Sequence, residues 1–152
     1  MIRILFTNIL IWGLFSPAAA QPEAAVFGWK VLEDVTFTKT YDAENGLEII
    51  TADFGEGPRQ FEGQIVEIRG FVIPIRLSEG LYFLSRYPND ACFFCGAAGP
   101  ETVIELRTKR LPSGKVRFFA MDDELTFRGK LLLNADDFKY TSYILEEAEP
   151  VD

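Results

Sequence analysis

Residues 64–75 read QIVEIRGFVIPI, a run that alternates its side chains with a period of two and carries a glycine near its middle. This alternation, with Val66 and Ile68 on one face, is typical of a half-buried β-strand. Gly70 lets such a strand bend sharply, as the corner of a small barrel requires. Pro74 has no amide proton to give to a β-ladder, so this end is expected at a sheet edge. The run predicts a long, bent barrel strand.

Short segments with the same period occur on both sides of this run, and helical periodicity is almost absent. The predicted strands are residues 35–41, 47–54, 64–75, 81–85, 102–106, 116–120, 125–133 and 140–145. Many short strands separated by turn residues are typical of all-β barrels and sandwiches. We therefore predict an all-β fold, a small OB-like Greek-key barrel with little helix. Residues 29–54 are expected to form an added N-terminal β-hairpin.

Residues 1–20 have the parts of a secretory signal peptide, namely a positive charge at Arg3, an apolar run, and small residues up to Ala20. The apolar run is shorter than the roughly 20 residues that a membrane-spanning helix needs. We therefore predict export to the periplasm or the medium, with cleavage after Ala20. No stable membrane span is expected after cleavage, and an uncleaved anchor is the alternative interpretation.

The rest of the chain shows no second linker, internal repeat or low-complexity tract, and its length suffices for one hydrophobic core. We expect a flexible lead-in over residues 21–28. Residues 29–148 are expected to form a single OB-like barrel domain. Residues 149–152 are expected to be an acidic tail.

The composition excludes several classes of function. The 152 residues include 15 Lys and Arg, 23 Asp and Glu, two cysteines and no histidine, for a formal net charge of −8. Without histidine, His-dependent catalytic triads, imidazole metal sites and c-type haem attachment are excluded. Nucleic-acid affinity rests on clustered Lys and Arg, so an acidic chain argues against a nucleic-acid partner.

Both cysteines of the chain lie in one predicted loop, as Cys92-Phe-Phe-Cys95. In a loop, this spacing can direct both sulfurs to one point, where they serve either a metal ion or a disulfide. Gly96, Gly99 and Pro100 follow directly, and we expect them to shape the loop because glycine permits positive φ and proline fixes φ. This loop is the strongest candidate for function.

Four chemistries compete for the cysteine pair. Two thiolates alone suit a soft, low-coordinate ion such as Cu(I), whereas Zn²⁺ needs two more ligands, for which Asp90 and Glu101 are the nearest carboxylates. A local disulfide between Cys92 and Cys95 suits an oxidising compartment, although so short a loop gains only about 1–2 kcal/mol. Thiol–disulfide exchange is the third, but the surrounding pattern lacks the βαβ unit of the usual redox motif. Unreactive, buried thiols are the fourth.

Several motifs carry a family resemblance: FEGQIVEIRGFVIP at 61–74, LSRYP at 84–88, ACFFCG at 91–96, GPE at 99–101 and TFRGKLLLN at 126–134. Together they resemble exported bacterial proteins of the domain of unknown function 3299 family, in its Bacteroidetes-type branch with a Cys-Phe-Phe-Cys-Gly loop. The resemblance covers about residues 29–148 and implies an OB-like β-barrel.

Other branches of that family carry Cys-x-His at the same loop. Cys92 then matches their cysteine, their histidine falls on Phe94, and Cys95 is an added thiol. Some members resemble components linked to zinc uptake or export, so the resemblance implies metal handling with an envelope protein or transporter as partner.

The leading hypothesis is an exported, non-enzymatic domain that binds a soft metal ion, zinc or copper, or an envelope partner through this loop. Its ligands would be Cys92 and Cys95, completed by Asp90 or Glu101. The alternatives are a thiol–disulfide redox accessory protein that uses the same cysteines, and an interaction module in which they form a structural disulfide.

Overall fold

The computed structural model describes residues 25–44, 46–115, 117–137 and 139–151. The expected signal peptide at residues 1–20 and its cleavage after Ala20 lie outside the described residues. Within the described chain, no helix is long and apolar enough to cross a membrane.

Eight strands and a few short helical turns make up the described chain. The strands are β1 (Ala25–Val26), β2 (Val35–Asp42), β3 (Leu47–Phe54), β4 (Ile65–Arg76), β5 (Leu81–Ser85), β6 (Val103–Thr108), β7 (Glu124–Leu133) and β8 (Tyr143–Val151). The α-helices are α1 (Trp29–Leu32) and α2 (Glu56–Arg59). The 3-10 turns are Leu77–Glu79, Asn89–Ala91, Phe93–Cys95 and Pro100–Thr102.

Five strands close into a barrel in the order β4-β5-β6-β8-β7, and β7 pairs back with β4. All neighbouring barrel strands are antiparallel except β6 and β8, which run parallel. Strand β1 adds to β4 in parallel, while β2 and β3 form a separate antiparallel hairpin. The predicted all-β fold, an OB-like barrel with an added N-terminal hairpin, is confirmed.

Strand β4 closes the barrel because it serves two partners along its length. Its first half pairs with β7 as far as Phe71, and its second half pairs with β5 from Phe71 onward. The change of partner lies next to Gly70, where a side-chain Cβ would lie 2.6 Å from the carbonyl oxygen of Ser85 and 3.0 Å from the ring of Trp29. Only glycine permits this close approach of the backbone of β5.

The inward faces of the barrel strands form one apolar core. Its members have almost no exposed surface and include Val66, Ile68, Leu84, Ile104, Leu106, Phe127, Leu131 and Leu145. Tyr143 is also fully buried, and its hydroxyl donates to the carbonyl oxygen of Leu32 at 2.8 Å. Burial raises the pKa of Tyr143, with smaller contributions from the charges of Glu101 and Asp34. This hydrogen bond ties the end of α1 to the barrel.

The predicted strand at residues 116–120 is wrong. Residues 117–120 form no strand, and Val116 lies outside the described residues. The edge of β6 that a hairpin partner would use is taken by β8. Phe119 instead turns into the core and packs edge-on against Tyr82 and Phe127, with ring centroids 5.3 and 5.1 Å apart. The alternation of exposed and buried side chains in this segment therefore belongs to a loop that caps the barrel and not to a strand.

Strands extend into residues 25–26 of the expected lead-in and residues 149–151 of the expected tail, and residues 21–24 and Asp152 lie outside the described residues. The residues predicted as an acidic tail continue β8 to Val151, in register with Thr126 of β7. Leu145 and Ala148 on this strand are buried, so apolar contacts hold the strand despite its acidic charge. In the predicted flexible lead-in, β1 pairs with β4, and Phe27 is buried against Phe61 with centroids 5.0 Å apart.

Candidate functional site

The connection from β5 to β6 carries both cysteines and is built from three successive 3-10 turns. At its base, the Arg86 amide donates to the Thr102 carbonyl oxygen at 2.9 Å, which holds the two ends of the connection together. At its tip, the Cys95 amide donates to the Cys92 carbonyl oxygen at 3.2 Å. This last bond closes the turn that separates the two thiols.

The two thiols lie side by side but differ in their access to solvent. Cys92 is completely buried, whereas Cys95 is exposed, and neither forms a disulfide. Their Sγ atoms are 3.9 Å apart. The Cys95 thiol also lies 2.8 Å from the carbonyl oxygen of Asn89, to which it donates. The sequence-predicted pair is thus a closely spaced dithiol with one member open to solvent.

The spacing of the sulfurs suits joint binding of one ion. Tetrahedral Zn²⁺ with Zn–S bonds of about 2.3 Å holds two sulfurs about 3.8 Å apart, close to the 3.9 Å between Cys92 and Cys95. A closed Zn²⁺ site needs two further ligands, however. Across the described residues, no group of three or more Cys, Asp and Glu side chains is arranged to hold a metal ion. A metal ion held at this point would therefore meet two sulfur ligands from the described residues.

Glu101 belongs to a different cluster from the thiols. Its charge acts on Arg86, whose guanidinium donates to Glu33 at 2.6 Å. The same Glu33 carboxylate also accepts a hydrogen bond from Lys30. These two hydrogen bonds hold the pKa of Glu33 below its usual range, and the bond from Lys30 has the larger effect. Glu33, Arg86 and Glu101 line one charged depression. The Arg86–Glu33 ion pair links this end of the loop to the residue after α1, and Glu101 lies beside that pair.

Asp90 lies near the Cys95 thiol, but the described residues form no group of three acidic or thiol side chains there that could hold a metal ion. Its side chain is exposed on the first 3-10 turn of the connection. Its charge is the weakest of the effects that raise the pKa of the Cys95 thiol, after desolvation and the neighbouring Cys92 thiol. With a raised pKa, Cys95 is protonated at neutral pH. Binding of a metal ion there must release a proton.

The residues expected to shape the loop do so in different ways. Gly96 ends the Phe93–Cys95 turn in the left-handed region, with φ of 74°, which disfavours other residues. Gly99 has φ of −85°, which any residue adopts, and a Cβ at this position would displace the Glu101 carboxylate, the flexible end of that side chain. Pro100 begins the last 3-10 turn, where a missing amide proton costs nothing.

The phenylalanines between the cysteines dock the loop on the barrel. Phe94 stacks on Phe83 of β5 with ring centroids 4.8 Å apart, and Phe93 meets Phe94 edge-on at 5.3 Å. Phe94 remains about half exposed. The loop that carries the thiols is thus held against the barrel by a short aromatic stack.

A cleft beside the loop was missed by the sequence reasoning. It has a volume of about 370 Å³ and lies where β3, β5, β6 and the β7–β8 connection meet. Its walls include Glu48, Ile50, Ile75, Arg76, Leu81, Phe83, Phe93, Pro100, Val103, Glu105, Lys139, Tyr140, Thr141 and Ser142. The available signal was that Leu81, Phe83 and Val103 are apolar on the outward face of their strands, where an uncovered barrel carries polar residues.

Comparisons with protein families and with curated proteins find no match to this chain. No protein-family model matches the chain, and a search of curated proteins finds no significant match. The fold and the site geometry are therefore the basis for a functional assignment.

Proposed function

We propose that this protein is a non-enzymatic binding module that holds one soft metal ion between Cys92 and Cys95. The observation that supports the proposal is the 3.9 Å separation of two unpaired Sγ atoms, one of them open to solvent. An ion would approach from the exposed Cys95 side, and the loop would have to open the buried Cys92 sulfur to it. The proposal includes the export and the envelope partner expected from residues 1–20 and from the family resemblance.

The sulfur spacing is close to that of tetrahedral Zn²⁺, but the number and the softness of the donors favour Cu(I). Thiolates are soft ligands that select Cu(I), and Cu(I) accepts low coordination numbers. Zn²⁺ prefers four ligands, and the described residues bring no third acidic or thiol group to the pair. The sequence-based ligand set of Cys92, Cys95, Asp90 and Glu101 is therefore reduced in this proposal to the two cysteines.

Thiol–disulfide exchange is the second candidate, favoured by the contrast between exposed Cys95 and buried Cys92. In this scheme, the Cys95 thiolate attacks a client disulfide, forms a mixed disulfide and releases one client thiolate. The Cys92 thiolate then attacks the Cys95 sulfur, forms the Cys92–Cys95 disulfide and releases the second client thiolate. The client is reduced and the pair is oxidised. Against this scheme, the pKa of Cys95 is raised, whereas reactive cysteines have a lowered pKa.

Titration of the reduced protein with Cu(I) under anaerobic conditions separates the two candidates. We expect one Cu(I) per chain, measured against a competing chromophoric chelator, with both thiols protected from alkylation in the complex. Because the Cys95 thiol must lose its proton, Cu(I) affinity should increase as pH rises through the neutral range.

The control for this titration is Zn²⁺ at the same concentration, which should protect the thiols less. Failure of the reduced protein to take up Cu(I), together with trapping of a mixed disulfide at Cys95 by a client, would favour the redox candidate and contradict the metal proposal.

A further inference from the structure

The cleft between the hairpin and the barrel is not used by the dithiol chemistry. We propose that it is a docking site for an extended, apolar peptide segment of a partner protein, which adds as a strand to the free edge of β3. The proposal goes beyond metal binding and does not depend on it. Four observations carry it.

The first observation is the direction of the backbone groups of β3. The Ala52 amide donates to the Ala135 carbonyl oxygen at 2.7 Å, so the polar groups of Ala52 point away from β2. The carbonyl oxygen of Phe54 also points away from β2, since it accepts from the Arg59 side chain at 2.7 Å. In an antiparallel pair, this direction alternates from residue to residue. The backbone groups of Ile50 and Glu48 therefore point to the same free edge.

The second observation is that this edge has room for a partner. Ala52 uses the edge to bond with the β7–β8 connection, but within the described chain the amides of Ile50 and Glu48 have no backbone acceptor. An exposed row of amides and carbonyls is a template for another strand. A peptide added here gains main-chain hydrogen bonds whatever its sequence, and the pockets below it then select side chains.

The third observation is the surface under the edge. The side chains of Ile50 and Glu48 line the cleft together with Phe83. The volume of about 370 Å³ is within the range of about 300–1,000 Å³ typical of ligand sites. Alternate side chains of an added strand would point into this space.

The apolar rim of the cleft is also unusually open. Ile75 is 44% exposed and Tyr140 is 47% exposed, and both line the same cleft. Single exposed apolar residues are common, but two that line one concave surface favour a binding surface. The Arg107 guanidinium lies 4.7 Å from the centroid of the Tyr140 ring, so one face of that ring is covered.

The fourth observation is the charge of the residues that line the cleft. It fits a partner peptide with an uncharged segment followed by an acidic residue. Glu48 is paired with Lys39 at 2.8 Å, Arg76 with Glu79 at 3.2 Å, and Glu105 with Arg107 at 2.9 Å. Lys139 lines the cleft without an ion pair to any described residue. A partner with uncharged apolar residues along β3 and a carboxylate beside Lys139 is electrostatically complementary.

The test uses a short, capped, fluorescent peptide that alternates valine and threonine and ends in aspartate. Fluorescence anisotropy with the full chain should show saturable binding. The same peptide with N-methyl groups on alternate residues, placed to block hydrogen bonding to β3, should lose binding. This comparison uses the unaltered protein, so it does not depend on how any variant folds.

A matched pair of variants then locates the site. Ile75→Ser removes an exposed apolar side chain from the cleft and should weaken peptide binding about tenfold. Met121→Ser removes one of similar exposure, 48%, from outside the cleft and should leave binding unchanged. Equal binding of the N-methylated peptide, equal weakening by both variants, or no saturable binding at all would each overturn the proposal.

Discussion

Replacement of both thiols, as Cys92→Ser with Cys95→Ser, is expected to lower Cu(I) affinity more than about 100-fold. The serine hydroxyl is a hard and weakly acidic donor, and removal of a direct ligand should exceed the roughly 10- to 100-fold effect of an outer-sphere change. The single variants should each lose most of the affinity, because one sulfur cannot chelate. Competition with a chromophoric Cu(I) chelator measures these changes.

The matched controls for this prediction are the two carboxylates that the sequence suggested as ligands. Asp90→Asn and Glu101→Gln should leave Cu(I) affinity within about threefold of the unaltered protein, since no third acidic ligand joins the dithiol in the described chain. The ion pair between Arg86 and Glu33 should persist in Glu101→Gln, because Glu101 is not a member of it. A loss of Cu(I) affinity in Glu101→Gln as large as that in Cys95→Ser would contradict the two-sulfur site.

The second large effect is expected at the point where β4 changes partner. Gly70→Ala should lower the free energy of unfolding by about 1–3 kcal/mol, as overpacking of a close contact does. The added Cβ would lie 2.6 Å from the backbone oxygen of Ser85, which cannot move without shifting β5. Urea denaturation followed by circular dichroism measures the difference.

Gly28→Ala is the matched control for Gly70→Ala. A Cβ at Gly28 meets nothing within 4 Å, and its φ of −118° suits any residue. The free energy of unfolding of the Gly28→Ala variant should differ from that of the unaltered protein by less than about 1 kcal/mol, the usual scale of an N-cap substitution. If the two variants were equally destabilised, the close approach at Gly70 would not be the cause.

Most of the fold was predictable because period-two alternation directly reports which face of a strand is buried. The predicted strands at 47–54 and 81–85 have the observed bounds. The errors occurred where another cause produces the same local signal. Phe119 alternates with its neighbours because it caps the barrel, and the charged end of the chain forms a strand because Leu145 and Ala148 are buried.

The candidate site was predictable only in part. The spacing of Cys92 and Cys95 within one loop was sufficient to indicate a dithiol, because a single turn sets their separation. The position of Glu101 was not, since proximity in sequence does not show which way a side chain turns, and this one lies in the depression with Arg86 and Glu33. The cleft depends on the meeting of β3, β5 and β6, which are distant in sequence. Local sequence patterns do not show which of these strands lie side by side in the folded protein.

X-ray absorption spectroscopy of the Cu(I)-loaded protein, in a buffer free of thiols and halides, tests the central claim most directly. The account predicts a first shell of two sulfur atoms, as the Cys92–Cys95 pair provides, with no nitrogen or oxygen ligand. A shell of three or four ligands, or one containing oxygen from a carboxylate, would contradict the account.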